Sequence, residues 1–468
     1  MDKTDLCFMP ATQMVEHIRR RELSPVEVTA TVIERIEALE PRLNAFSAFA
    51  PDLAMEQAKQ AEAALLAGVA PGRLHGVPVT IKDLADVAGL PTERGSFTAK
   101  GQMPAKDSPF VTRLRAEGAV VLGKTTTSEH GWKGVSQSPL TGITSNPWRL
   151  GYNAGASSAG AGAGAAAGYG PLHQGSDGAG SIRMPAHFSG VFGLKPTFGR
   201  VPNVPVRNND QVSHTGPMTR TVADAALMLE IMAGRHPLDH YSLEAPPAAY
   251  CEQLHTGIAG LHVAFSADLG HARVDPEIAT LVAEAVKTFA SLGVQVEEVA
   301  IPFGRQGPDI GRFFWAAHEL ELNGFLDDYR ERMDPGLVAC IESAQTATAL
   351  DYLSMREKKH AYIAQIHQFF EQWDLLLTPA VSVAAFPAGR LMPEHWPCHP
   401  WDWLSWAEFS YPFNLSMNPA ACVPAGFTAD GLPCGLQIVG RRFEDATVLR
   451  AAAAFEQARP WAQHRPSL

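Results

Sequence analysis

The sequence predicts an α/β protein, because segments with helical spacing of apolar residues alternate with short β-branched segments along most of the chain. The composition supports a folded chain with a large core: of 468 residues, 46% are hydrophobic and 19% are charged, close to the values of ordinary globular proteins. Length alone permits one to three domains. Neither an internal repeat nor a long linker interrupts the alternation.

The clearest local signals lie near the amino terminus. In residues 23–46, Ser24 is predicted as a helix N-cap, with Pro25 as the first helical residue and Glu27 three positions after the cap. Further along, "GVPVTIKD" (76–83) predicts a short strand, because β-branched residues occupy alternate positions. Lys82 is therefore expected at the carboxyl end of a strand.

The same rhythm continues to the end of the chain. Thr221 and Asp224 have the spacing of a capping box at the start of a helix. The other expected elements are helices at 58–68, 108–118, 219–234 and 275–293, a mostly helical stretch at 310–375, and strands at 119–123, 261–267, 294–301, 374–382 and 434–440.

Charge and cysteine usage exclude several classes of partner. The net charge is −11 without any basic run, so nucleic acids and anionic membranes are not expected as partners. We expect a cytoplasmic protein, since no stretch of 18 apolar residues and no signal-peptide core is visible. The six cysteines include no CxxC pair, which favours free thiols. Cys398 lies near His395 and His399, but this does not complete a zinc pattern.

Two glycine-rich stretches match nucleotide-binding patterns. Residues 118–125, "GAVVLGKT", fit the phosphate loop, which would make Lys124 a nucleotide ligand. The four middle residues are apolar and strand-like, however, rather than an exposed cradle for an anion. Residues 160–165, "GAGAGA", fit a loose dinucleotide fingerprint without the preceding strand, and a helix with a small packing face is the simpler interpretation. A nucleotide-binding protein is the alternative from a different functional class.

A third glycine-rich stretch, 154–202, contains serines at Ser157, Ser158 and Ser181 among residues with little side chain. A serine nucleophile needs a base and a group of backbone amides that hold the oxyanion. The residues "DGAG" leave the backbone accessible directly before Ser181. A Ser-His-Asp hydrolase is disfavoured, since the G-x-S-x-G elbow is absent. A lysine is the remaining option for the base, because burial favours its neutral form, and Lys82 is such a lysine.

Four stretches together resemble the amidase signature family: "GVPVTIKD", the block from "GASSAGAG" to "PTFGRVP" (155–202), "GPMTRTVADAA", and the closing "VPAGFTADGLPCGLQIVGRRFEDATVLRAAAAFEQ". The resemblance implies amide hydrolysis by a Ser-cisSer-Lys triad. Its members here are Ser181 as nucleophile, Ser157 as bridging serine after a cis peptide, and Lys82 as base. The resemblance further implies an oxyanion hole made by the amides of Gly178, Ala179, Gly180 and Ser181, with Asp177 and Arg183 bracing the loop.

Four residues depart from the family pattern. Ala156 and Ala159 replace glycines in the first serine block, and Ala179 replaces one close to the nucleophile. Where such a position requires a positive φ, alanine costs about 1–2 kcal/mol and loosens the site. His130 stands where relatives commonly carry an aromatic residue, and we interpret it as a polar packing residue, with a titrating role as the alternative.

The substrate prediction rests on aromatic residues, because the same triad serves many amides. Four of the nine tryptophans fall within 396–406; they could form an aromatic wall for a neutral apolar or aryl group, or a packed loop covering the sheet. Phe313 and Phe314 are expected to face this wall. The predicted substrate-binding residues are Gly131, Trp132, Ser158, Trp315, Trp403 and Trp406.

A second role within the same family is that of a glutamine-hydrolysing amidotransferase A-type subunit, which works with partners. Its site would need charged groups for the α-amino and α-carboxylate groups of glutamine. The tryptophan-rich segment offers no obvious arginine, and Arg312 and Arg390 are the two that stay open. This role is therefore the alternative to a free-standing amidase.

The full prediction is a single α/β/α domain over 1–468, with a large twisted mixed sheet covered by helices on both faces. The catalytic core is expected at about 70–235, and pocket-shaping helical and tryptophan-rich insertions at about 310–410. The expected ligand is a small-molecule amide, without cofactor, metal, nucleic acid or membrane. A homodimer is left open.

Overall fold

A computed structural model describes residues 2–244 and 249–468. The strands in this part of the chain are β1 (Phe46–Phe49), β2 (Pro78–Lys82), β3 (Val120–Thr125), β4 (Gln137–Ser138), β5 (Gly142–Ile143), β6 (Ser145–Asn146), β7 (Arg149–Asn153), β8 (Leu172–Asp177), β9 (Phe192–Lys195), β10 (His214–Thr219), β11 (His262–Phe265), β12 (Gln295–Glu298), β13 (Leu375–Pro379), β14 (Ala420–Phe427) and β15 (Pro433–Gly440).

The helices in the same ranges are α1 (Lys3–Cys7), α2 (Ala11–Arg19), α3 (Pro25–Leu43), α4 (Pro51–Leu66), α5 (Pro109–Ala116), α6 (Ala159–Ala167), α7 (Arg183–Ser189), α8 (Val222–Met232), α9 (Tyr250–Gln253), α10 (Pro276–Ser291), α11 (Gly307–Glu319), α12 (Leu326–Tyr329), α13 (Pro335–Ala344), α14 (Ala349–Phe369), α15 (Tyr411–Leu415) and α16 (Asp445–Ala458). Of the helices described, none is both long and apolar enough to cross a bilayer.

Eleven strands form one mixed sheet in the order β1-β3-β2-β8-β10-β9-β14-β15-β13-β11-β12. The strand β2 runs parallel to both of its neighbours, β3 and β8, and β11 runs parallel to β12 and β13. The intervening neighbours are antiparallel: β8 with β10, β10 with β9, β9 with β14, β14 with β15, and β15 with β13. The short strands β4 to β7 form two separate hairpins outside this sheet.

Helices cover both faces of the sheet. Successive strand residues point to opposite faces, and they belong to two different hydrophobic clusters: Leu375 and Leu377 pack in one, Leu376 in the other. The first cluster contains apolar residues of α2, α5, α8, α10 and α16, and the second contains those of α6, α7, α11, α13, α14 and α15. The predicted α/β fold with a helix-covered mixed sheet is confirmed.

Most of the local predictions hold. The helix α3 begins at Pro25, and the Ser24 hydroxyl accepts from the Val26 and Glu27 amides at 3.0 and 3.2 Å. The predicted capping box of α8 is only half formed: Thr221 accepts from the Asp224 amide at 3.3 Å. The Asp224 carboxylate accepts from the Ala11 amide at 2.9 Å, and not from the amide of the N-cap residue Thr221, because α2 packs against this end of α8.

The strands β8, β9, β10 and β14 were not predicted. They hold the centre of the sheet and are almost entirely buried. Their sequences, such as "LHQGSD" and "HTGPMT", contain glycine, proline and polar residues that local propensity places in turns. Pairing on both sides overrides that propensity.

The phosphate-loop hypothesis for 118–125 is wrong. Residues 120–125 are the buried strand β3, whose backbone pairs with β1 and β2. The Lys124 ammonium is fully buried and forms an ion pair with Asp83 at 3.1 Å, and it also donates to the Thr92 hydroxyl at 2.8 Å. Lys124 is therefore a buried structural residue that no nucleotide can reach.

The stretch "GAGAGA" lies in α6, as the simpler interpretation predicted, and every residue of this helix is buried. Small side chains are required, because a Cβ on Gly160 would stand 2.0 Å from the carbonyl oxygen of Ala45. This close packing holds the amino-terminal end of α6, where Ser157 and Ser158 lie, against the sheet.

Candidate active site

Lys82 ends β2 in the interior of the sheet and is fully buried. Its ammonium nitrogen Nζ lies 2.8 Å from the Ser157 hydroxyl and 3.0 Å from the Ser176 hydroxyl. Burial lowers the pKa of Lys82 well below its usual value, the positive charge of Arg207 lowers it further, and Asp177 opposes the shift. The lowered pKa favours the neutral form, in which this lysine is a proton acceptor.

The two serine segments are hydrogen-bonded to each other beside Lys82. The peptide bond between Ala156 and Ser157 is cis, as predicted. The amide of Ser158 donates to the carbonyl oxygen of Ser181 at 3.2 Å, and the Ser158 hydroxyl donates to the carbonyl of Ser176 at 3.1 Å. Ser157 and Ser181 consequently face one cavity.

Asp177 and Arg183 form a buried bidentate ion pair below the Ser181 loop. The guanidinium nitrogens lie 2.8 and 3.0 Å from the two carboxylate oxygens. Burial opposes ionisation of Asp177, but the charge and hydrogen bonds of Arg183 outweigh burial and hold the pKa of Asp177 below its usual range. Gln437 and Asn414 accept further hydrogen bonds from Arg183, at 2.7 and 2.5 Å.

Of the four backbone amides predicted to form the oxyanion hole, three have no hydrogen-bond acceptor among the described residues. The Gly180 amide donates to Asp177 at 2.7 Å, so it is already occupied. The amides of Gly178, Ala179 and Ser181 donate to no acceptor among the residues the structure describes. Gly178 and Ser181 border the catalytic cavity, which leaves these three amides as the candidate donors to an oxyanion.

The alanines that replace family glycines do not strain the backbone. Where the structure describes the chain, positive φ angles in these loops occur at Gly155 (80°) and Gly180 (112°), not at Ala156, Ala159 or Ala179. Alanine adopts the remaining conformations without the penalty that positive φ imposes. The three substitutions are therefore compatible with an intact site.

A cavity of about 340 Å³ lies above Ser157 and Ser181. Its lining differs from the predicted one. Gly131 and Trp315 contribute to the wall, whereas Ser158, Trp132, Trp403 and Trp406 do not. Gly131 lies directly over the bridging serine, since a Cβ at this position would be 3.0 Å from the Ser157 hydroxyl.

The predicted aromatic wall is part of the hydrophobic core instead. Trp132, Trp403 and Trp406 are fully buried. The Trp403 indole donates to the Trp132 carbonyl at 2.8 Å, and its ring meets that of Trp315 edge to face at 5.3 Å. Trp403 thus packs against the side of Trp315 that faces the core. Its one polar group is satisfied by the hydrogen bond, so the large ring can be buried there.

His130 lines the cavity as an uncharged residue. Its Nε2 lies 2.7 Å from the Thr98 hydroxyl, and its ring stacks on Phe325. Burial lowers the pKa of His130 to about 3, with Arg94 and Arg207 adding to the shift. These contacts favour the polar packing role over a titrating one.

Several residues of the site are not among those predicted from the sequence. Ser176 contacts Lys82, and the Gln174 side chain accepts from the Lys82 amide at 3.0 Å. Both precede Asp177 in the serine-glycine block, so proximity to the motif could have indicated them. Arg94 and Arg207 also line the cavity, but no motif marks either residue.

Comparison with known proteins agrees with this geometry. The family model described as Amidase matches residues 27–449. This chain belongs to the amidase signature family. The amidase is 38% identical to an acylamidase of Rhodococcus erythropolis, with 100% of this chain and 99% of the relative aligned. It is 32% identical to the A-type subunit of a glutamyl-tRNA(Gln) amidotransferase from Geobacter metallireducens, over 96% and 97% of the two chains.

Among solved structures, a bacterial aryl acylamidase of the amidase signature family superimposes on this amidase with a TM-score of 0.90. The two chains are 30% identical, and 97% of each is covered. Together with the family match, these likenesses identify an amide-hydrolysing enzyme.

Proposed function

We propose that this amidase converts a linear carboxylic amide to an acid and an amine or ammonia through an acyl-enzyme on Ser181. Neutral Lys82 accepts a proton from the Ser157 hydroxyl while Ser157 accepts one from Ser181. The Ser181 oxygen attacks the carbonyl carbon, and the amides of Gly178, Ala179 and Ser181 stabilise the oxyanion.

The relay then runs in reverse to complete acylation, and it is used again for deacylation. Lys82 returns its proton through Ser157 to the leaving nitrogen, the C–N bond breaks, and the acyl group stays on Ser181. A water molecule then loses a proton through Ser157 to Lys82 and attacks the ester carbon. The bond between this carbon and the Ser181 oxygen breaks, and Lys82 returns the proton through Ser157 to Ser181 as the acid leaves. Lys82 ends each half-reaction in its neutral form, ready to accept the next proton.

The observation that carries this proposal is the contact between Lys82 and Ser157. A lysine 2.8 Å from a serine hydroxyl, with its pKa lowered by burial, is the arrangement that a neutral base requires. The bidentate Asp177–Arg183 pair supports it by fixing the loop that carries Ser181.

The relatives guide the choice of substrate. The likenesses to an acylamidase and to an aryl acylamidase make an aryl amide the first class to test. The glutamine-hydrolysing alternative receives no support from the two arginines left open for it. Arg312 binds Asp402 and Glu408 at 2.6 and 2.8 Å, Arg390 is half-exposed beside Glu394, and neither borders the catalytic cavity.

Turnover of 4-nitroacetanilide to 4-nitroaniline, followed without ATP, tests the proposal. Ser181→Ala and Lys82→Met should each lower kcat/KM by at least about 1,000-fold, because they remove the nucleophile and the base. The matched control is Ser382→Ala, a buried serine whose hydroxyl has no partner in the described ranges. Undiminished turnover by Ser181→Ala, or a requirement for ATP, would contradict the proposal.

Two further expectations belong here as proposals. We place the enzyme in the cytoplasm, supported by six cysteines that are all free thiols, as in a reducing compartment. The homodimer stays open, and the division into a core at 70–235 and insertions at 310–410 stays a prediction.

A further inference from the structure

The wall of the catalytic cavity contains two arginines, Arg94 and Arg207. Both line the same cavity as Ser157 and Ser181, and both are half-buried. Arg207 is close enough for its charge to act on Lys82, and both arginines act on His130. The arginines therefore lie near the reacting atoms.

These guanidinium groups lack the partners that other cations in this region have. Lys124 is paired with Asp83, and Arg115 with Asp107. Arg207 instead donates to the carbonyl oxygen of Leu84 at 3.3 Å. Throughout the described ranges, no carboxylate comes within ion-pair distance of Arg207 or Arg94. Partly desolvated guanidinium groups are most stable with a carboxylate partner, which they bind in a bidentate manner.

The other titratable groups of the wall do not neutralise this charge by direct contact. They are Asp86, His130, His214, His318, Glu319 and Glu321. Burial raises the pKa of Glu319 to about 8, with Glu321 adding to the shift, so Glu319 is mostly protonated at neutral pH. Burial also keeps His130 neutral and lowers the pKa of His318. Asp86 and Glu321 act on Arg207 electrostatically, but neither comes within ion-pair distance of it.

The segment that carries Arg207 is held in place from the opposite side. Asp210, three residues further on, accepts from the Tyr352 hydroxyl at 2.5 Å and lies 3.3 Å from His318. Lys359 donates to the Asp210 backbone carbonyl at 3.2 Å. These contacts connect the segment to α11 and α14, so the backbone that presents Arg207 is fixed before a ligand binds.

We infer that the cavity prefers amides whose acyl or amine portion carries a carboxylate, and that Arg207 binds this carboxylate. The inference rests on the proposed amide hydrolysis and names its substrate class. It also modifies the prediction of a neutral substrate, which depended on tryptophans that lie in the core. An aryl amide with a carboxylate satisfies both the likeness to acylamidases and the unpaired guanidinium group of Arg207.

Two matched substrate pairs test the preference, each comparing a carboxylate with a neutral methyl ketone of similar shape. For the amine portion the pair is 4-acetamidobenzoate and 4-acetylacetanilide; for the acyl portion it is succinanilate and 4-oxo-N-phenylpentanamide. The wild-type enzyme should have the higher kcat/KM for the carboxylate in at least one pair. Arg207→Met should lower this ratio by about 10- to 100-fold, the value of a hydrogen bond to a charged group, mainly through KM.

The ratio within a pair separates recognition from chemistry, because any effect of Arg207 on Lys82 acts equally on both substrates. Arg390→Met is the matched control, since this surface arginine lies outside the cavity; its ratio should equal that of the wild type. A wild-type ratio at or below one in both pairs, or a ratio unchanged in Arg207→Met, would overturn the inference.

Binding distinguishes failure of this inference from failure of the proposed function. Calorimetric titration of the Ser181→Ala protein with each compound needs no turnover. Tighter binding of a carboxylate than of its ketone, lost in Ser181→Ala/Arg207→Met, supports the inference even if no anilide is hydrolysed; equal binding overturns it. L-Glutamine is a third carboxylate-bearing amide, and its preferential hydrolysis would support the inference while favouring the amidotransferase alternative.

Discussion

At the scale of single residues, the proposed chemistry depends on one lysine whose neutral form is favoured by burial. Lys82 lies at the end of β2, and the groups whose charges act on it are Arg207, which lowers its pKa, and Asp177, which raises it. The active form is the neutral one, so kcat/KM should rise with pH as Lys82 loses its proton. The acidic limb of the profile therefore reports the pKa of Lys82.

Arg207→Met should move this acidic limb to higher pH. Removal of a nearby positive charge stabilises protonated Lys82 and raises its pKa, so a higher pH is needed to reach the active form. The measurement is kcat/KM against pH for a neutral anilide, with Arg390→Met as the control that should match the wild type. A limb that stays in place, or moves to lower pH, would show that Arg207 does not act on Lys82.

Asp177→Asn should lower the free energy of unfolding by about 3–5 kcal/mol, because it leaves a buried guanidinium without its counter-charge. Both side chains of this pair are fully buried. Asp430→Asn, which removes the exposed partner of Arg149, should change it by no more than about 0.5 kcal/mol. Urea unfolding curves measure both values. Equal midpoints for the two variants would refute a structural role for the Asp177–Arg183 pair.

At the scale of secondary-structure elements, α6 positions the bridging serine because its small residues allow a close approach to the sheet. Gly160→Ala would place a Cβ 2.0 Å from the Ala45 carbonyl oxygen and 2.7 Å from the Thr126 amide nitrogen. Backbone atoms cannot move aside cheaply, so we expect a loss of about 1–3 kcal/mol in unfolding free energy, together with lower activity.

Gly164→Ala is the matched variant in the same helix. Its Cβ would first meet a side-chain atom, His173 Cε1, at 3.2 Å, and helix propensity favours alanine by about 1 kcal/mol. Its unfolding free energy should stay within about 1 kcal/mol of the wild-type value. If Gly160→Ala is as stable as Gly164→Ala in urea, close packing of α6 does not hold the serine loop.

At the scale of the whole molecule, the sequence predicts three candidate catalytic residues that the structure brings together, but it does not predict the cavity above them. Lys82, Ser157 and Ser181 are embedded in local motifs, and the structure brings all three to one place through the parallel pairing of β2 with β8. The cavity wall combines residues far apart in the chain, from Leu84 to Glu321. No local pattern specifies such long-range neighbours.

The tryptophans and the arginines of the cavity show the physical reason for this difference. Aromatic composition cannot distinguish a core from a cavity wall, because both bury large apolar surfaces. The sequence therefore predicts Trp403 and Trp406 as ligand contacts, although both are buried in the core. Arg207 lies in "NVPVRNND", where no periodicity indicates which way a side chain points. Its position above the catalytic serines emerges only from tertiary packing.

The central claim is that Lys82, acting through Ser157, activates Ser181. Labelling with a fluorophosphonate probe, followed by intact-mass measurement and peptide mapping, tests this claim most directly. The wild type should gain a single adduct on the Ser181 peptide. The adduct should form at least about 100-fold more slowly in Lys82→Met, since a general base contributes at least that factor, and at the wild-type rate in Ser382→Ala. An adduct on another residue, or undiminished labelling of Lys82→Met, would contradict this mechanism.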